Sequence, residues 1–212
     1  MTKEIILILD GARAGKSDFA QSLAREVGGV IFVATAEARD EDMAQRIAAH
    51  KSARPSSCET MKEPVDVAAS LAPVLHDYDT VLLDCLTLWV SNLLLGGRDV
   101  PSINQSIQEL LDLYVSGDCT WIVVSNEVGL GVVRATSSGR TYRDALGRVN
   151  QLVVASADRV YLWAGYGAEA AGRTADMPIG CRWRGVRSAI MTCGRPRYRG
   201  SARAPGTCGE LA

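Results

Sequence analysis

The chain has 212 residues, 47% of them hydrophobic and 22% charged, with a formal net charge of −1. That is ordinary globular composition, long enough for one sizeable α/β core, and its near-neutrality argues against a protein that coats nucleic acid. The apolar run 5–9 near the start is a strand's length, too short for a membrane span or for the core of a secretory signal. Six cysteines with no C-x-x-C pair, beside only two histidines, predict neither a zinc site nor a disulfide framework, and the reducing cytoplasm is the expected compartment.

In chain order, residues 4–9 read as a buried strand. A helix-period segment follows over 16–27, then a strand at 30–33 and a helix over 39–51. A helix over 65–76 precedes the strand 80–84, and helices over 86–95 and 103–115 precede the strand 120–125. A helix over 141–157 then leads to the last strand, 158–163. The five strands are rich in Val and Ile and nearly continuous rather than alternating, as suits strands covered on both faces. In the last helix Leu146, Val149, Leu152 and Val153 make one stripe, with Arg143, Asp144, Arg148 and Gln151 off it. Alternation of strand and helix predicts an α/β fold, a doubly wound, mostly parallel sheet flanked by helices. Ligands of such sheets sit at the carboxyl ends of the strands.

The first strand end reads Asp10-Gly11-Ala12-Arg13-Ala14-Gly15-Lys16-Ser17. It matches G-x-x-x-x-G-K-[ST] at every fixed position except the first, where Asp10 replaces glycine, so the expected architecture is P-loop NTPase-like. Gly15 lets the backbone approach a phosphate, and amide groups at the helix N-terminus face the anion. Lys16 supplies a point charge to the outer phosphates, and the Ser17 hydroxyl can ligate Mg²⁺. Asp10 brings a carboxylate near phosphates and narrows the backbone angles that glycine would allow, with Gly11 next to it as the flexible residue. Asp84, after the apolar Leu82-Leu83, fits the acid that holds Mg²⁺ at a neighbouring strand end. Together these predict a Mg²⁺-dependent nucleoside-triphosphate enzyme.

The helix over 39–51 carries Met43 and Ile47 on one face and Arg46 and His50 on another. Residue types alone favour His50 as a surface histidine in the last helical turn. The alternative is a nucleophile attacking phosphorus, with nearby cations holding the phosphates. The Asn126-Glu127 turn follows a strand and should border the same cleft; a helix-capping turn is the other reading.

The blocks GARAGKS (11–17), RIAAHKSARP (46–55), LLDCLTLWVSNLL (82–94), VSNEVGLGVV (124–133) and YRDALGRVNQLVVASADRVYL (142–162) occur in this order. With them the chain resembles the bifunctional adenosylcobinamide kinase/adenosylcobinamide-phosphate guanylyltransferase family of cobalamin biosynthesis. The resemblance implies phosphorylation of adenosylcobinamide by ATP or GTP, then transfer of GMP from GTP to that phosphate, giving adenosylcobinamide-GDP. It implies that His50 carries the guanylyl group and that Lys16 acts with it in catalysis. It implies nucleotide contacts at Asp10, Gly11, Ala12, Arg13, Ala14, Gly15, Lys16 and Ser17, at Ala34, Thr35 and Ala36, at Lys51, Ser52, Ala53 and Arg54, and at Lys62 and Asp84. Mg²⁺ would be held by Ser17 and Asp84. Glu127 would help the acceptor hydroxyl or the metal. Arg143-Asp144 and Asn150-Gln151 match a signature helix, where a structural ion pair, a subunit contact and catalysis are all open. The partner is the corrinoid substrate rather than nucleic acid, and a homo-oligomer, with a trimer suggested, is implied. A small-molecule P-loop kinase without guanylyl transfer and a decayed GTP-binding module are the competing readings.

Three positions depart from the family pattern: Asp10 for glycine, Lys62 for a nucleotide-contacting Glu, and Arg134 for a common proline. Glu63 adjoins Lys62, and a one-residue slip would recover that role. The largest departure is the end of the chain. Residues 1–163 carry 15 Lys and Arg against 21 Asp and Glu, net −6, while 164–212 carry 8 Arg, no Lys and three acids, net +5. The latter stretch also holds 9 of the 20 glycines and lacks a sustained period. The sequence therefore divides into a kinase/guanylyltransferase domain, 1–163, and an atypical basic Gly/Arg-rich tail, 164–212, expected to be disordered. An altered reading frame near the 3′ end would produce such a tail.

Overall fold

The computed structural model describes residues 3–12, 14–25, 28–52, 58–129 and 135–162, with Arg46, Ala49, His50 and Ser52 described at the backbone alone. Strands β1 (Ile5–Asp10), β2 (Val30–Ala34), β3 (Glu59–Lys62), β4 (Thr80–Asp84), β5 (Thr120–Asn126) and β6 (Arg159–Leu162) form one sheet in the order β3-β2-β4-β5-β1-β6. Every adjacent pair is parallel. The helices are α1 (Lys16–Arg25), α2 (Glu41–Ser52), α3 (Val67–Leu71), α4 (Leu86–Leu95), α5 (Val100–Ser116) and α6 (Ser137–Ser156).

Strand periodicity sorts the core into two layers. Ile5, Leu7, Ile31, Val33, Val81, Leu83, Trp121 and Val123 pack on one face against α3, α4, α5 and α6, through side chains such as Leu71, Trp89, Ile107 and Leu146. The intervening Ile6, Ile8, Phe32, Leu82, Ile122 and Val124 pack on the other face with Ala20 and Ala24 of α1. Full burial of each Val, Leu or Ile contributes roughly 1.5–3 kcal/mol. Both faces are therefore committed to packing, and the strand ends are left to carry chemistry.

The expected doubly wound parallel sheet is present, with three differences. It has six strands rather than five. β3 is a short edge strand, Glu-Thr-Met-Lys, exposed except for a half-buried Met61, so it lacks the apolar run that marks the others. The single helix expected over 65–76 is α3 followed by a 3₁₀ turn at Leu75–Asp77, because Pro73 has no N–H to continue the helical ladder. Two helices begin earlier than periodicity suggests. Asp99 accepts from Ser102 N at the start of α5, with Pro101 in its first turn, and Thr136 accepts from Gly139 N at the start of α6. The stretch 164–212, with its expected disorder, lies outside the described residues, as does Arg134.

Candidate active site

Because the strands run parallel, their carboxyl ends share one edge, and there a cleft of about 960 Å³ opens. Gly15, Lys16 and Ser17 line it after β1, Ala34 and Ala36 after β2, Lys62 at the end of β3, Asp84 at the end of β4, and Asn126 at the end of β5. Ala12, Ala14 and Lys51 complete the expected residues that meet there. Asp10, Gly11 and Thr35 are not among the lining residues. Arg13, Ala53 and Arg54 lie outside the described residues, as do the side chains of His50 and Ser52.

The loop after β1 has the geometry of an anion cradle. Gly15 has φ +83°, in the left-handed region that other residues adopt at a cost, and Lys16 opens α1 directly after it. Lys16 is only 6% exposed, and its Nζ donates to Gly11 O at 2.5 Å, bending the loop around the ammonium. Burial lowers its pKa below the ordinary lysine value, while the negative charges of Asp10 and Asp84 work against that shift. Asp10 departs from expectation. It is the last residue of β1, in register with Asn126, and so sits in extended backbone open to any residue. Its Oδ1 accepts from Gly11 N. The glycine with the special φ in this loop is Gly15, not Gly11.

Asp84 ends β4 opposite Ala34 of β2 and Val124 of β5. The Asp84–Cys85 peptide is cis. Burial pushes the Cys85 thiol up to about 12, with the Asp84 carboxylate adding to the shift, so Cys85 stays protonated. Thr35 is fully buried. Its hydroxyl donates to Cys85 O at 2.8 Å and accepts from Cys85 N at 2.9 Å. Asn92 of α4 donates to Thr35 O at 2.8 Å and to Pro64 O at 3.1 Å.

On the opposite wall, Met43, Ile47 and Lys51 of α2 face the cleft. The four-residue spacing of Met43 and Ile47 is legible in the sequence, and Lys51 continues the same stripe along the cleft. Thr60 and Lys62 of β3 join them, and because β3 carries no apolar run, nothing in the sequence marks Thr60. Glu63 does not take a nucleotide-facing position by a one-residue slip. Its carboxylate accepts from Val65 N, Asp66 N and Ser70 Oγ and closes the entry to α3. The Glu127 carboxylate accepts from Gly129 N, which makes it a turn-forming group in this structure. Of the signature helix, Asn150 is buried, donating to Asn126 O at 3.0 Å and accepting from Ser125 Oγ at 2.7 Å. Arg143 pairs with its neighbour Asp144 at 2.7 Å on the surface of α6.

Among the described residues no group of three or more His, Cys, Asp or Glu gathers. Ser17 and Asp84 nevertheless place a hydroxyl and a carboxylate in the same cleft. A hard cation that keeps several waters and binds substrate phosphates needs only one or two such oxygen donors, so the donor set fits Mg²⁺.

Residues 6–169 match the family described as Cobinamide kinase / cobinamide phosphate guanyltransferase, CobU. The chain belongs to this family. All five motif blocks fall inside the match, and residues after 169 lie outside it. The family's activity makes the protein an enzyme of cobalamin biosynthesis, a kinase and guanylyltransferase. It is 41% identical over 155 residues to the bifunctional adenosylcobalamin biosynthesis protein CobP of Pseudomonas aeruginosa, covering 73% of this chain and 89% of that protein. It is 37% identical to CobU of Salmonella typhimurium and 34% to CobU of Escherichia coli, each alignment covering 74% of this chain and 94% of the relative. Among solved structures, a type III secretion ATPase of pathogenic bacteria aligns with TM-score 0.50 and 14% identity over 76% of this chain. That likeness is one of fold, a P-loop NTPase-like sheet, and the aligned region is about half (52%) of the ATPase chain. No helix among the described residues is long and apolar enough to cross a membrane.

Proposed function

We propose that one cleft serves both half-reactions on adenosylcobinamide, and that the guanylyl group passes through a covalent intermediate on His50. The observation that carries this reading is that the α2 residues Met43, Ile47 and Lys51 line the same cleft as Gly15, Lys16, Ser17 and Asp84. At about 100° per residue His50 stands about 20° from Met43 and about 60° from Ile47 around α2, so its backbone position adjoins the cleft-lining stripe rather than forming the separate face that its four-residue pairing with Arg46 suggests.

In the kinase step the acceptor hydroxyl oxygen bonds to the γ-phosphorus of ATP or GTP. The bond from that phosphorus to the β,γ-bridging oxygen breaks, ADP or GDP departs, and the hydroxyl proton passes to solvent. Lys16 and the amides around Gly15 hold the phosphates in line, and positioning supplies most of the rate in phosphoryl transfer. In the second step a neutral His50 nitrogen bonds to the α-phosphorus of GTP and pyrophosphate departs. A phosphate oxygen of adenosylcobinamide phosphate then displaces the imidazole, forming adenosylcobinamide-GDP and restoring His50. Cationic sequence neighbours Arg46, Lys51 and Arg54 disfavour protonation of the imidazole and stabilise the transferred phosphate. Lys51 and Lys62, on the cleft wall, are proposed nucleotide contacts, with Ser52 and Ala53 beside them. Ser17 and Asp84 are the groups that would hold Mg²⁺, which supplies charge neutralisation at the phosphates. We assign the enzyme to the cytoplasm as a homo-oligomer, a trimer being the form to test.

Incubation with α-labelled GTP should put an acid-labile, base-stable label on the wild-type protein and none on His50→Ala. Absence of label from the wild type, or its survival in His50→Ala, overturns the covalent route and leaves a kinase alone.

A further inference from the structure

We propose that Thr35 is a positioning residue for Asp84, its buried hydroxyl fixing the chain on the side of Asp84 that the sheet does not hold. Up to Asp84 the backbone of β4 is clamped on both sides by β2 and β5. Beyond it the chain leaves the ladder to enter α4 at Leu86. Thr35 spans that gap. Its N–H donates to Asp84 O at 3.3 Å, and its hydroxyl closes a donor-acceptor pair with the N–H and C=O of Cys85. One hydroxyl thereby bonds both polar backbone groups of the residue after Asp84, whose C=O also accepts from Trp89 N at 3.2 Å in the first turn of α4, and the hydroxyl is itself enclosed at 0% exposure. Asn92 in turn holds Thr35 from α4 and ties it to Pro64 at the end of the β3 connection. Asp84 projects into the cleft from a backbone whose direction is set by Thr35.

A hydroxyl so engaged has no hydrogen left to donate to a ligand, so the part of Thr35 in nucleotide use is indirect. Catalytic constellations need their reactive groups held tightly by neighbours that do not touch substrate. The expected consequence is specific: loosening Asp84 weakens the benefit of the divalent cation and leaves the loop around Lys16 intact. This inference rests on the proposed metal role of Asp84.

The test measures the affinity of the full-length protein for α,β-methylene-GTP in EDTA and in Mg²⁺, which needs no turnover. Thr35→Val removes the hydroxyl and keeps the shape. It should leave the EDTA affinity unchanged while reducing the gain on adding Mg²⁺ by roughly tenfold, the scale of a lost buried hydrogen bond. Thr35→Ser should restore the gain. Should Thr35→Val not fold, Thr35→Cys, whose thiol is a weaker partner, should show a smaller loss of the same kind. Equal losses in EDTA and Mg²⁺, an undiminished gain in the hydroxyl-free variants, or failure of serine to rescue overturns the proposal. Asp84→Asn separates it from its premise. A gain that survives Asp84→Asn overturns the metal reading and the Thr35 proposal with it. A gain lost in Asp84→Asn but intact in Thr35→Val overturns the Thr35 proposal alone.

Discussion

Glu63 shows how a single acidic side chain near the cleft can be wholly committed to structure. Burial disfavours its charged form, but the hydrogen bonds from Val65 N, Ser70 Oγ and Asp66 N outweigh that and hold its carboxyl below the ordinary glutamate value. The folded pKa is depressed, so this stabilisation is complete above the unfolded pKa, about 4.3, and is lost as pH falls through the lower folded value. Loss of a hydrogen-bonded side chain of this kind costs about 1 kcal/mol net. Glu63→Ala should therefore melt about 2–4 °C below wild type at pH 7, with the gap closing as the pH is taken below about 4. Thermal melts across that range check it, and a gap independent of pH would contradict the role of the ionised carboxylate in holding this turn. The sequence places Glu63 beside Lys62, an expected nucleotide contact, but side-chain direction depends on a turn at Pro64 and on Ser70, seven residues on, which spacing does not encode. Lys16 is the opposite case. The residue types around it carry the expectation of a phosphate-binding lysine, and the structure adds its burial and its bond to Gly11.

At the scale of elements, what was legible follows from burial on two faces. β1, β2, β4 and β5 each sit between two strands and under helices, so their apolar runs stand out. β3 has one neighbour and exposed side chains, and it left no run to read. The pairing of α6 with the strand ends was illegible for a different reason: it depends on hydrogen bonds between residues far apart in sequence. Asn150 lies 24 residues from Asn126 and 25 from Ser125 yet bonds to both. Tyr142 of the same helix donates to Thr87 O at 3.2 Å, and the Thr87 hydroxyl accepts from Asn126 N at 2.9 Å. Helix α6 thus fixes the end of β5, where Asn126 meets the cleft. Asn150→Ala would strip a buried hydroxyl and a carbonyl of their partner, at about 1–3 kcal/mol. The variant should unfold at correspondingly lower urea concentration with an unchanged slope. Wild-type stability in Asn150→Ala would show that water or local repacking replaces the amide.

Over the whole molecule, the net charge of −1 conceals a body at −6 and an end at +5, and the family match divides the chain near the same place, ending at residue 169. The cleft draws its described lining from residues 12–126, and the two core layers extend to Tyr161. Among the described residues, each strand end at the site is supported by a helix inside the matched region. The last 49 residues combine eight arginines and nine glycines without a sustained apolar period, and we propose that they do not form part of the packed body. On that proposal a chain ended after residue 169 keeps the melting temperature of the full chain within about 1 °C. It should also retain GTP affinity and both half-reactions. Its net charge shifts toward the acidic side, so the full chain alone should show salt-dependent retention on a cation exchanger. A shortened protein that melts several degrees lower would mean that the basic segment packs against the body, and the boundary drawn from composition would then be wrong.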